Sequence, residues 1–260
     1  MPHAAVNGQQ IWFEDSASEG PAVILAHGFL MDHEMFAAQV KALSPEFRVI
    51  TWDERGHGRT ESDGRPYSYW DSAADCIALM DHLRLDQAVV GGMSQGGFLS
   101  LRAALSAPDR VRALVLLDTQ AGLEPTEVVA GYQQLLDTWA TVGPIDDVAN
   151  IVASIIIGEP TESARWIAKW KARDQSLIVE AGRCLLTRDD ITARLGEITC
   201  PALVVHGSND VAISLERAGE LVSGLPGSRP LVTIEGGTHS ANLVVPEPVN
   251  AALLSFLRSL

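Results

Sequence analysis

The sequence predicts an α/β fold: a mostly parallel central sheet flanked by helices, with a helical cap inserted late in the chain. Two observations lead there. Short, continuously apolar runs such as AVILA at 22–26 and VRALVLL at 111–117 alternate with stretches whose apolar residues recur every three or four positions. That alternation implies parallel strands joined by crossover helices. It breaks once, over 119–199, where the pattern is helical throughout, and then resumes. An insertion of about eighty residues is too long for a plain loop, so it should form its own small structure.

Taken in order, 10–13 is a strand candidate and half of a hairpin, and 22–26 reads as a strand buried on both faces. The helical pattern of 34–43 stops before Pro45, and FRVITW at 47–52 is the next strand. A longer helix covers 69–83, with Ala73, Ile77, Met80 and Leu83 on one face. A strand at 88–91, a helix at 95–107 ending before Pro108, and the strand at 111–117 follow. After the insertion come a strand at 202–206, a helix near 214–222 and a strand at 230–234. A last helix carries Val249, Leu253, Phe256 and Leu257 on one face. The expected division is a core of 1–118 and 200–260 with a cap, or lid, of 119–199 over the carboxyl edge of the sheet. Open parallel sheets bind ligands at that edge. Gly143-Pro144 and Gly158-Glu159-Pro160 mark breaks between the cap helices.

Bulk properties narrow the function. Of 260 residues, 47% are hydrophobic and 20% charged, an ordinary globular composition. The net charge of −14, without a run of Lys or Arg, argues against a nucleic-acid partner. No apolar run approaches a membrane span, and the start of the chain does not look like a secretory signal. The three cysteines, Cys76, Cys184 and Cys200, form no CxxC pair and read as reduced, buried thiols, which suggests a cytoplasmic protein.

The most informative stretch is Gly92-Met93-Ser94-Gln95-Gly96, a G-x-S-x-G pattern between a strand and a helix. A sharp strand-to-helix turn would push the Ser94 hydroxyl out above the sheet, at a helix N-terminus that favours developing negative charge. Small neighbours let other backbone pass close. After attack on a carbonyl, the resulting oxyanion needs two fixed N–H donors. Gln95, directly after the serine, and Phe29, in the His27-Gly28-Phe29-Leu30 loop after AVILA, are the candidates. His27 reads as ordering that loop.

Of seven histidines, His239 lies in the glycine-rich loop GGTHSAN after the final strand, where a general base could reach Ser94. Asp210, in GSND after the strand ALVVH, is the preferred acid, and Asp118, at the end of VLLD, is the rival. Nothing in the spacing suggests a metal site, and the chemistry needs no cofactor.

HGF at 27–29, DERGHG at 53–58, GMSQGG at 92–97, and GSND with GGTHSANLVVPEP near the end resemble the α/β-hydrolase superfamily. The likeness is nearest to its 3-oxoadipate enol-lactonase and cofactor-free haloperoxidase-like esterase branch. The resemblance implies Ser94 as nucleophile, Asp210 as acid, His239 as base, Phe29 and Gln95 as oxyanion donors, and a structural role for Asp53, Arg55 and His57. Two departures stand out: Gln95 where this branch often has Met or Leu, and Phe29 where haloperoxidase-like members often have Trp. Dehalogenases and epoxide hydrolases of similar fold need an aspartate where Ser94 stands, so serine points to acyl transfer. Hydroxynitrile lyases would want a pocket lysine, and Lys41, Lys169 and Lys171 lie outside the motif loops.

The expected activity is therefore a serine hydrolase that cleaves a carboxylic ester or lactone through an acyl-enzyme. The alternatives are a perhydrolase or haloperoxidase, a C–C bond hydrolase on the same triad, and a slow-turnover ligand-binding receptor. The partner is a small, largely apolar substrate. In the cap, Trp139, Trp166 and Trp170 are candidates for an aromatic pocket wall, with packing of cap onto body as the competing reading.

Overall fold

The computed structural model describes residues 3–61 and 63–260. Its strands are β1 (His3–Val6), β2 (Gln9–Asp15), β3 (Ala22–Ala26), β4 (Arg48–Trp52), β5 (Ala88–Met93), β6 (Val111–Leu117), β7 (Ala202–Gly207) and β8 (Val232–Ile234). Together they form one 8-stranded sheet in the order β1-β2-β4-β3-β5-β6-β7-β8. β2 pairs antiparallel with β1 and with β4; every other pairing is parallel. The hairpin partner of β2 is the stretch holding His3. This histidine pairs opposite Trp12, and the two rings meet edge-on at 4.8 Å.

The helices are α1 (Ala37–Leu43), α2 (Tyr69–His82), α3 (Gln95–Ser106), α4 (Thr126–Val142), α5 (Asp146–Ile156), α6 (Pro160–Lys171), α7 (Ile178–Leu186), α8 (Leu215–Gly224), α9 (Ala241–Val244) and α10 (Pro246–Leu257). The helix expected from 34 onward begins instead with a 3-10 turn over His33–Phe36, because the Asp32 carboxylate caps the Glu34 amide there.

Side chains alternate across the strands and so feed two cores. Ile24, Ala26, Val90, Leu114, Leu116 and Val204 pack on one face with α2, α3 and α8. Val23, Leu25, Val89, Val115, Leu203 and Val205 pack on the other with α1 and α10. The four residues read as one face of the last helix, Val249, Leu253, Phe256 and Leu257, are all buried there.

Between β6 and β7 the chain runs through α4 to α7. The breaks fall where the glycines and prolines stand. Gly143 (φ 82°) follows α4, Gly158 (φ 70°) follows α5, and Pro160 opens α6. Trp166 and Trp170 are buried among these helices and the body, and Trp170 donates from Nε1 to the Leu30 carbonyl at 2.8 Å.

From β3 the chain moves outward to β4, then returns to place β5 on the other side of β3. Loops leaving neighbouring strands in opposite directions open a crevice at their carboxyl ends. The loop after β3 and the turn after β5 therefore face each other.

Close approach fixes that turn. A Cβ at Gly92 would stand 2.2 Å from the Ala26 carbonyl oxygen, and one at Gly96 1.9 Å from the same atom. Neither backbone can yield without moving β3. Gly96→Ala should therefore lower the urea midpoint sharply or abolish soluble expression. Gly131→Ala, exposed in α4 with nothing within 4 Å of the added carbon, should raise stability by about 0.5–1 kcal/mol. Equal effects of the two substitutions would refute the steric argument.

Candidate active site

Ser94 directly follows β5 and caps α3 with φ 51° and ψ −113°, a backbone conformation that a side-chain-bearing residue adopts only under constraint. The constraint is visible. Its amide donates to the Leu117 carbonyl at 2.9 Å, and its carbonyl accepts from the Gly97 amide at 2.8 Å and the Thr119 hydroxyl at 2.7 Å. Held this way, the Ser94 side chain lines a cavity of about 90 Å³ together with His239, Phe29 and Phe98.

His239 follows β8. Its Nδ1 lies 2.8 Å from Asp210 Oδ2, and both side chains are buried. Asp210 Oδ1 accepts from the amides of Ala212 and Ile213 at 2.8 and 2.9 Å. Burial by itself would raise the Asp210 pKa, but the His239 charge and the hydrogen bonds from His206 and His239 hold it well below the usual carboxylate range. An ionised carboxylate thus backs the imidazole at any ordinary pH.

Asp118 is placed differently. It sits at φ 46° at the end of β6, fully buried, and accepts from the Gly207 amide at 2.7 Å and the Ala241 amide at 3.3 Å. It therefore ties together the segments that carry Asp210 and His239, rather than bonding the imidazole. Burial, with the neighbouring Asp210 adding to it, pushes its pKa up to about 7 against the pull of His206 and His239.

Sequence reasoning passed over His206 as the end of a strand. Its Nε2 lies 3.1 Å from Asp210 Oδ2 and 2.9 Å from the Ile213 carbonyl, so it braces the same carboxylate oxygen that His239 engages. The spacing His206 to Asp210 in HGSND was the available signal. Asp118, His206 and Asp210 bring ligand atoms within 4.8 Å of one another, as do Asp32, His33 and Asp53. In both groups the carboxylate oxygens already accept hydrogen bonds from neighbouring donors.

Gln95 is the first residue of α3, so its amide is among those a helix leaves without an intrahelical acceptor. Phe29 is half-buried beside the cavity. His27 orders its loop: Nε2 accepts from the Glu54 amide at 3.0 Å, so Nδ1 carries the proton and donates to the Gly28 carbonyl at 2.8 Å. In DERGHG, Asp53 accepts from the His33 and Arg59 amides, each at 2.8 Å, and Arg55 pairs with Asp75 at 2.6 Å.

Of the three tryptophans offered as a pocket wall, Trp139 lines the cavity and Trp166 and Trp170 do not. Trp170 is turned against Trp139, edge-on at 5.6 Å, and its indole N–H is spent on Leu30. The wall is completed by Tyr132, Leu135 and Leu136 of α4 and by Val152, Ile155 and Ile156 of α5. Their helical spacing was legible; which face of each helix turned inward was not.

A hydroxyl at a helix N-terminus, an imidazole backed by an ionised carboxylate, and an open cavity between them form the group set that acyl transfer requires. Residues 21–244 match the family model described as alpha/beta hydrolase fold. The chain belongs to the α/β-hydrolase fold family.

This α/β hydrolase is 28% identical over 253 residues to a protein of Agrobacterium fabrum named as a carbamate hydrolase, covering 92% of this chain and 94% of that one. Among solved structures, the enol-lactonase of Burkholderia xenovorans superposes with a TM-score of 0.90 at 27% identity, covering 99% of this chain and 100% of that one. A thermophilic esterase of Thermogutta terrifontis gives 0.89 at 27%, covering 100% and 97%. No helix among the described residues is long and apolar enough to cross a membrane.

The Asp118 carboxyl gives a signed pH dependence. Its folded pKa of about 7 lies above the ordinary 3.8, so the folded state keeps a proton that the unfolded chain releases. Stability should fall as pH rises between those values. Asn is neutral throughout, so Asp118→Asn should gain on wild type by about 1 kcal/mol per pH unit across that window. Urea melts at pH 5, 6 and 7 measure it, and a constant difference between the two proteins would refute it.

Proposed function

We propose that this hydrolase cleaves a small carboxylic ester or lactone through an acyl-enzyme on Ser94. One observation carries the reading: a serine held at positive φ between a buried strand and a helix faces the same cavity as a histidine bonded to an ionised aspartate. In this reading Ser94 Oγ attacks the carbonyl carbon while His239 Nε2 takes its proton. The oxyanion is received by the amides of Phe29 and Gln95. The C–O bond breaks as His239 returns the proton to the departing alcohol. A water then loses a proton to His239 and attacks the acyl carbon, and Ser94 leaves with the proton from His239. Asp210 keeps the imidazole in the right tautomer and offsets its charge, which the 2.8 Å bond to Nδ1 supports.

The cavity supports a substrate class. Apart from Ser94, His239, Glu124 and Tyr132, its walls are hydrocarbon and aromatic rings. At about 90 Å³ it is smaller than the ~150 Å³ that holds one benzene, which fits a short acyl chain or a small ring. Residues 119–199 act as the cap in this reading, because α4 and α5 supply half of the apolar wall. The cap is tied to the base: Thr238 and Ser240, on either side of His239, donate to the carbonyls of Ile157 and Ile156 at 2.6 and 2.8 Å. Lactones, with acid and alcohol joined in one small ring, suit such a space.

Two outcomes test the proposal. Ser94→Ala should lose p-nitrophenyl ester hydrolysis by on the order of 10⁴-fold or more, and Asp210→Asn by about 10⁴-fold, with Asp118→Asn far less affected. Hydrolysis that survives Ser94→Ala would sink the mechanism. Across acyl lengths, acetate to butyrate should be preferred over octanoate, and Trp139→Ala should move the preference to longer chains. A flat profile, unmoved by that substitution, would remove Trp139 from the pocket. Parallel assays with a γ-lactone and a simple carbamate rank the leaving groups.

A further inference from the structure

Behind the Ser94 turn lies a buried polar group that the mechanism leaves unused. Glu54 is 1% exposed, and among the described residues neither carboxyl oxygen has a well-aligned hydrogen-bonding partner. The carboxyl lies against the side chains of Ser72 and Gln95. Ser72 Oγ and Gln95 Nε2 are likewise buried without aligned partners. The other end of the Gln95 amide is engaged, since Oε1 accepts from the Tyr69 hydroxyl at 3.1 Å. Buried polar atoms left this way are rare in native folds and call for a reason.

Residue 54 touches both halves of the oxyanion site. Its main chain donates to His27, which in turn donates to the Gly28 carbonyl, directly before Phe29. Its side chain meets Gln95, directly after Ser94. The surroundings disfavour a charge. Tyr69, Ser72, Asp75 and Cys76 approach from α2, Gln95 from α3, Cys184 from α7, and Tyr67 from the loop before α2. Burial raises the Glu54 pKa to about 8, and the Asp75 carboxylate, paired with Arg55, adds to it.

We propose that Glu54, buried against Gln95 and bonded through its amide to His27, is a positioning residue that sets the Phe29 and Gln95 amides at the oxyanion. The proposal rests on the acyl-transfer reading above. Gln95 Nε2 and the Ser72 hydroxyl can donate to the carboxyl in either state, and they favour the anion. What separates the two states is the charge itself, which is buried away from water and repels Asp75. Charge on Glu54 would therefore act on kcat, through misplaced amides, and leave substrate binding in the apolar cavity little changed.

The test is the rate profile of wild type, Glu54→Gln and Glu54→Leu on p-nitrophenyl acetate from pH 5.5 to 9.5. Wild type should lose kcat above about pH 8 with KM nearly constant. Glu54→Gln, which cannot ionise, should keep most of the neutral-pH rate and show no alkaline fall. Glu54→Leu should lower kcat by up to about 10²-fold while KM changes little. An alkaline fall in Glu54→Gln matching that of wild type would overturn the proposal, and so would a Glu54→Leu protein that folds and retains full kcat. If Glu54→Leu does not fold, the Glu54→Gln profile decides alone. Wild type without Ser94-dependent turnover would sink the acyl-transfer reading itself, and this proposal with it.

Discussion

The contact between the Ser94 turn and the Ala26 carbonyl governs the rest of the site. Gly92 and Gly96 lie so close to that oxygen that no side chain fits at either position. The turn can therefore press against β3, and the chain between the two glycines has one way to go. That path places Ser94 in a backbone conformation that costs on the order of 1–3 kcal/mol. The cost is borne by the sheet: the Leu117 carbonyl and the Thr119 hydroxyl, both at the end of β6, hold Ser94 by its amide and its carbonyl. The same contact brings the loop after β3 within reach of the first amide of α3. A looser turn would separate Phe29 from Gln95 as well as lower the hydroxyl.

Three carboxyl groups are handled in two ways. Asp210 is ionised because two imidazoles and two amides surround it. Asp118 and Glu54 are pushed toward neutrality because burial outweighs what their neighbours offer. Chemistry at neutral pH needs such separation: one carboxylate charged beside the imidazole, the others quiet in the scaffold. The net charge of −14 belongs to the surface and bears little on this arrangement.

The fold was largely legible because its signal is local. Continuous apolar runs gave every parallel strand to within a few residues, and glycine and proline gave the helix breaks between β6 and β7. β1 escaped because His3–Val6 is short and its strand character depends on pairing with β2. Ser94, Asp210 and His239 were readable as members of motifs, each at the carboxyl end of a strand. Their convergence follows from strand order, which brings the ends of β5, β7 and β8 to one edge. Trp166 and Trp170 were misleading because an aromatic residue at helical spacing signals burial, and packing satisfies that as well as a pocket does.

By itself the sequence determined the α/β architecture, the strand-to-helix turn at Ser94 and the candidacy of Asp210 and His239. These depend on hydrophobic period and on steric limits that act within a few residues. The tertiary structure alone decided that Asp118 braces two loops instead of the imidazole, that His206 supports Asp210, that Trp139 faces the cavity, and that Glu54 lies against Gln95. Those outcomes turn on which side chains meet across elements distant in the chain. A single sequence does not encode such meetings in any local pattern; packing, burial and charge settle them only once the sheet has assembled.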